Sequence, residues 1–109
     1  MLDKLAAALA ATKYSFANTA WSKAPAGDYG TYYCSGQSQF RADGNSAAEI
    51  GLEGYVDYFT RDPSGTPKTT IENALRGLGI NWWLNSIQYE DDTGYIHYEW
   101  MWRDLHGAV

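Results

Sequence analysis

The sequence is short of several things, and each shortage excludes something. It has one cysteine, Cys34, in 109 residues, so an internal disulfide is impossible and the expectation is a reducing compartment. No apolar run approaches the ~18 residues that a membrane-spanning helix needs, so a soluble chain with no membrane partner is expected. The most apolar stretch, Leu2–Ala11, holds Asp3 and Lys4 and lacks a basic leader and a cleavage site, so it does not read as a signal peptide. Basic residues are few, 8 against 13 acidic, for a net charge of −5; that argues against a chain whose own work is to grip phosphates. Internal repeats and low-complexity segments are absent. What the chain has in quantity is aromatic rings: five Trp, nine Tyr and three Phe, a load that suits strands and interfaces.

At this length one domain is expected, spanning residues 1–109. Leu2, Leu5, Ala6 and Leu9 recur at helical spacing in an alanine-rich segment, which predicts a packing helix over Leu2–Ala11. Tyr14–Ala17 reads as a short strand and Asn18–Gly30 as a loop, broken by Pro25 and Gly27 and pinned by Trp21. Thr31–Ser35 is β-branched and aromatic, a second strand. Gly36–Ala48 is small and polar around Asp43-Gly44-Asn45, and reads as a long hairpin connection or a projecting contact loop, with Phe40 and Arg41 at its centre.

The stretch from Glu49 to Trp83 organises the rest. Ile50, Leu52, Gly54, Val56 and Tyr58 alternate onto a core face of a strand over Glu49–Thr60. A turn at Arg61-Asp62-Pro63-Ser64-Gly65 leads to a helix with Thr66 as N-cap and Pro67 in its first turn, carrying Ile71, Leu75 and Leu78 on one side and ended by Gly79. Trp83–Tyr89 and Tyr95–Arg103 then form a hairpin around Asp91-Asp92-Thr93-Gly94, with Ile96, Tyr98, Trp100 and Trp102 on one face. The residues from about 104 to 109 read as a loose tail. The fold class predicted is α+β: an antiparallel four- to five-stranded sheet with two helices packed on one face.

Two short helices cover only one face of such a sheet, yet Tyr55, Phe59, Tyr95 and Met101 fall on the other. Exposed together they would make a patch of roughly several hundred Å2, more than a solitary domain carries, so self-association through the sheet is expected.

Chemistry finds little footing. His97 and Glu99 share a strand face, a pair more often a surface hydrogen bond than an acid and a base, and His106 falls in the tail. Glu53, Asp57 and Glu99 are carboxylates that nothing in the sequence positions for sugar hydrolysis. Cys34 has no adjacent base and reads as a small buried apolar residue. Glu90-Asp91-Asp92 lacks the ligand spacing of a calcium loop, and Gly77-Leu78-Gly79 closes a helix instead of cradling a phosphate. No catalytic residue, metal or cofactor is expected. Trp21, Trp82 and Trp100 leave a rival reading open, a carbohydrate- or ligand-binding module that stacks rings on sugars.

Several segments together resemble a known family. They are the leucine/alanine helix ending at Ala11-Thr12, Tyr32-Tyr33 before Phe40-Arg41-Ala42-Asp43, and Val56-Asp57-Tyr58-Phe59-Thr60-Arg61-Asp62-Pro63. A helix into Leu78-Gly79-Ile80 and the aromatic hairpin with Tyr98-Glu99-Trp100 complete the set. In these the chain is similar to the tail-terminator and tail-completion (tail-to-head joining) proteins of long-tailed bacteriophages. The resemblance implies a non-enzymatic virion protein, assembled in the bacterial cytoplasm. It would form a ring, commonly a hexamer, that caps the tail tube, meets the head-side connector and lets DNA pass without binding it specifically. A head-side neck or minor capsid adaptor is the near alternative. Phe40, Arg41, Asp43, Tyr55, Phe59, Tyr95 and Met101 are the interface residues expected.

Overall fold

The computed structural model describes residues 2–41 and 48–104. In chain order it contains helix α1 (Leu2–Ala11), strands β1 (Phe16–Asn18), β2 (Tyr29–Arg41) and β3 (Ala48–Thr60), helix α2 (Thr66–Arg76), and strands β4 (Asn81–Tyr89) and β5 (Ile96–Asp104). The class is α+β, with the five strands in one sheet of order β1-β2-β3-β5-β4. Neither helix is long and apolar enough to cross a membrane.

The sheet is mixed, not purely antiparallel as expected, because β1 pairs parallel to β2 through Phe16–Gly30, Ala17–Thr31 and Asn18–Tyr32. The two strands approach closely there. The Phe16 ring occupies the space a side chain at position 30 would need, its nearest carbon being 2.3 Å from where a Cβ would sit on Gly30. A glycine is what lets the two backbones approach there.

Leu5 and Leu9 of α1 and Ile71 and Leu75 of α2 share one buried cluster with Val56 and Tyr58 of β3 and Tyr98, Trp100 and Trp102 of β5. This is the core that the alternation in β3 and β5 predicts, and Leu52, Leu78, Trp82 and Leu84 pack at its margin. Trp100 ties α2 to the sheet twice, by burial and by an indole N–H that donates to Glu72 Oε2 across 3.0 Å. Glu72 also holds Lys68 one turn earlier, at 3.1 Å. Helix α2 is capped at Gly65, not at Thr66; Gly65 is left-handed (φ 81°) and no side chain caps the helix, while the Ser64 hydroxyl accepts from Thr66 N. Gly79, at φ 69°, makes the left-handed exit expected of it.

Both hairpins are longer or less regular than the sequence suggests. Gly36–Arg41 continues β2 instead of forming a loop: Gln37 pairs with Leu52, Phe40 with Glu49 and Arg41 with Ala48. Among the described residues, 48–51 of β3 pair with β2, and Leu52–Thr60 pair with β5 as well. Register shifts fall between Cys34 and Gly36 in β2 and between Leu84 and Ser86 in β4.

Trp21 pins its loop as expected, donating from Nε1 to the Gly30 carbonyl at 2.9 Å. Asp28 fastens the same loop to the end of β3, accepting from the buried Thr60 hydroxyl at 2.6 Å.

Candidate functional site

The register places four rows of side chains on the sheet face opposite the helices. Across β2, β3, β5 and β4 these run Tyr29–Phe59–His97–Gln88, Thr31–Asp57–Glu99–Ser86 and Tyr33–Tyr55–Met101–Trp83, with Glu53–Arg103–Asn81 beyond. Residues directly opposite one another in an antiparallel pair point to the same side, so this face is read straight from the pairing.

At its centre stand three chemically active groups. His97 Nε2 lies 2.8 Å from Asp57 Oδ1. Glu99, opposite Asp57, accepts at Oε1 from Asn85 Nδ2 at 2.7 Å. Asn85 sits at the β4 register shift, where the extra residue brings its amide to Glu99. One ligand atom from each of Asp57, His97 and Glu99 lies within 4.8 Å of the others. Asp57 is 7 % exposed, while His97 and Glu99 are half-buried, so the cluster is sunk into the sheet but open on one side.

Aromatic rings wall it. Phe59 stacks on the His97 ring at 4.1 Å and on Tyr29 at 4.8 Å, and Tyr33 stacks on Tyr55 at 5.3 Å. The Tyr33 phenol is held above its ordinary range first by burial and then by the negative charges of Asp57 and Glu99. Tyr58 on the core face is pushed up further, again chiefly by burial. The sign of the consequence is definite. The unfolded phenols ionise near 10.0 and the folded ones later, so the unfolded state loses protons first as pH rises. Stability from these groups is complete below pH 10 and declines above it. Urea midpoints across the alkaline range should therefore fall, and the fall should be smaller in a Tyr33→Phe variant.

The expected interface residues divide. Tyr55, Phe59 and Met101 lie on this face and are half-buried. Tyr95 does not belong to an exposed patch. It is 8 % exposed, because the Arg61 guanidinium lies 4.0 Å over its ring, Tyr29 and Phe59 meet it edge-on, and its hydroxyl donates to the Gly27 carbonyl at 2.9 Å. Phe40 and Arg41 are strand residues at the end of β2. Asp43 and the 105–109 tail lie outside the described residues.

Large apolar side chains are most exposed elsewhere, on β4: Trp83 at 40 %, Ile87 at 54 % and Tyr89 at 66 %. Trp83 shares the face of Met101, whereas Ile87 and Tyr89, beyond the register shift, share that of Tyr98 and Ile96. Strand β4 thus shows apolar surface on both of its faces.

Other candidates fall away. Trp100 is wholly buried and offers no face to a sugar; Trp82 packs at the core margin under Arg76. Glu53 is held near Arg103 at 3.7 Å, in the row beyond Tyr55. Glu90 closes the β4–β5 turn, its backbone N–H donating to Tyr95 O and its side chain accepting from Thr93. Cys34 is half-buried at the core margin, more accessible than expected, with Sγ 3.4 Å from Gly36 O.

Sequence reasoning had His97 and Glu99 on one face but treated Asp57 as unplaced. The pairing of β3 with β5 supplies Asp57, and only the register carries that information. Compared with known proteins, the chain matches no family model and no curated sequence.

Proposed function

We propose that this chain is a ring-forming virion protein of the tail-terminator kind. Six copies, the number the resemblance implies, would cap the tail tube and join it to the head-side connector, with DNA passing through the opening. The protein acts by contact, not by catalysis, and its place is the tail or neck of the particle.

The observation that carries this reading is the uncovered strand β4. A nine-residue edge strand bearing Trp83, Ile87 and Tyr89 in the open is a template for another chain. At the other side of the sheet, β1 covers only Gly30–Tyr32 of β2, and among the described residues no strand pairs with the outer edge of β2 beyond them. Strand directions make the two edges compatible. Strands β2 and β5 run one way and β3 and β4 the other. A copy related by rotation about a ring axis keeps its orientation, so its β4 arrives antiparallel to the β2 side of its neighbour. Such a head-to-tail contact closes into a ring when the rotation permits. The half-buried Tyr55, Phe59 and Met101 offer a second contact face to the same partners. The acidic balance suits a channel through which DNA slides.

The test is imaging and crosslinking of the purified protein, alone and with assembled tail tubes. Wild type should give rings or capped tube ends. Trp83→Lys with Ile87→Lys should stay folded by circular dichroism, since both side chains are exposed, and should give neither. Rings from the double variant, or none from wild type even on tubes, would overturn the reading. Rings that bind head-side connectors but not tubes would favour the neck adaptor.

A further inference from the structure

We infer that Asp57, His97 and Glu99 form a binding site for a divalent transition-metal ion of the zinc type. This inference does not depend on the ring reading; it rests on the centre of the sheet face alone.

The first argument is electrostatic. Asp57 and Glu99 are direct cross-strand partners in the interior of the sheet. Like charges so placed repel and destabilise the pairing, unless something positive stands between them. His97 contributes one hydrogen bond, to Asp57, and Asn85 contributes a neutral amide to Glu99. Neither supplies a fixed positive charge. A divalent cation would satisfy both carboxylates together.

The second argument is geometric. The three donor atoms lie within 4.8 Å of one another. Tetrahedral metal bonds of about 2.0–2.2 Å place donors about 3.4 Å apart, so the set closes on an ion with a shift of about 1.4 Å. Glu99, half-buried on the open side, can make that shift by a change of side-chain torsion. The donors stand on β3 and β5, interior strands that each have a partner on both sides, so the backbone beneath them is well supported. Asn85 on Glu99 and Phe59 stacked on His97 hold two of the ligands in orientation, as the outer groups of metal sites do.

The third argument is the donor chemistry. One imidazole nitrogen and two carboxylate oxygens suit zinc, which takes nitrogen and oxygen ligands in fours. Calcium and magnesium prefer all-oxygen shells of six or more. Three protein donors leave a fourth position for water or for a donor from a neighbouring molecule.

Zinc chloride titrated into the full chain by calorimetry should show saturable binding of one ion per chain. Cobalt(II) at the same site should give the visible absorption of a low-coordinate complex. Affinity should drop at least about tenfold in His97→Ala and in Glu99→Gln, and stay within about twofold of wild type in His106→Ala and in Asp92→Asn. Thermal unfolding without metal shows whether each variant folds; Glu99→Gln, conservative and half-buried, keeps the test valid should His97→Ala fail to. No saturable binding, unchanged affinity in Glu99→Gln, or binding abolished by His106→Ala would overturn the inference and leave a hydrogen-bonded surface cluster.

Discussion

Trp100→Ala should destabilise the fold by about 3–5 kcal/mol, the range for emptying a large buried aromatic site. Trp100 is wholly buried, lies on the interior strand β5 and stacks with Tyr98 at 5.7 Å. Its neighbours come from a sheet and two helices, which cannot all close on the space together, so the cavity term should be near its full size. The substitution also leaves Glu72 Oε2 without the indole N–H that ties α2 to the sheet. Domains of this size are stable by only about 5–15 kcal/mol, so the loss should shift the urea midpoint by a large fraction. Trp100→Phe separates the two contributions, because it keeps most of the ring volume and removes the N–H. Its cost should be about 1–3 kcal/mol, as for a bond to a charged acceptor. Equal losses in the two variants would mean that the hydrogen bond, not the packing, dominates at this site.

Gly54→Ala should cost at least about 2 kcal/mol, a large effect for a single methyl group. A Cβ at this position would lie 1.9 Å from the Tyr33 carbonyl oxygen and 2.8 Å from the Trp102 ring. The first of these contacts is backbone of the paired strand and cannot rotate away, so β2 and β3 must separate just where the β2 register shift begins. Gly36, on the other side of that shift, is the control: nothing lies within 4 Å of its would-be Cβ. Gly36→Ala should be neutral or stabilising by up to about 1 kcal/mol through the unfolded chain. Denaturation curves on the pair of variants read the difference directly. A neutral Gly54→Ala would mean that the two strands are farther apart than described.

Where a segment's own residues set its structure, the sequence was readable. Helix α2 follows from Pro67 with Ile71 and Leu75, and the faces of β3 and β5 follow from strict alternation into a one-sided core. Where structure depends on a distant partner, it was not. Three residues of β1 say nothing about whether they pair parallel or antiparallel with β2. Tyr95 seemed exposed because Arg61, which covers it, is 34 residues away in sequence (95 − 61). Gly36–Arg41 seemed a loop because its residues are mostly small and polar, and only their pairing with β3 makes them a strand. The metal-type cluster was two-thirds legible, in His97 and Glu99, and wanted only the register to bring in Asp57.

The order of the strands has a consequence for how the molecule comes into being. Strand β5 is the last strand along the chain, yet it sits between β3 and β4. A ribosome delivers the N-terminal segments first, and until β5 emerges β3 and β4 have no shared neighbour and Leu5 and Leu9 have no Trp100 or Trp102 to settle against. Completion of this sheet is therefore a late event in synthesis. The greasy helix α1 must wait for a strand made much later, a delay in which a chaperone would find work.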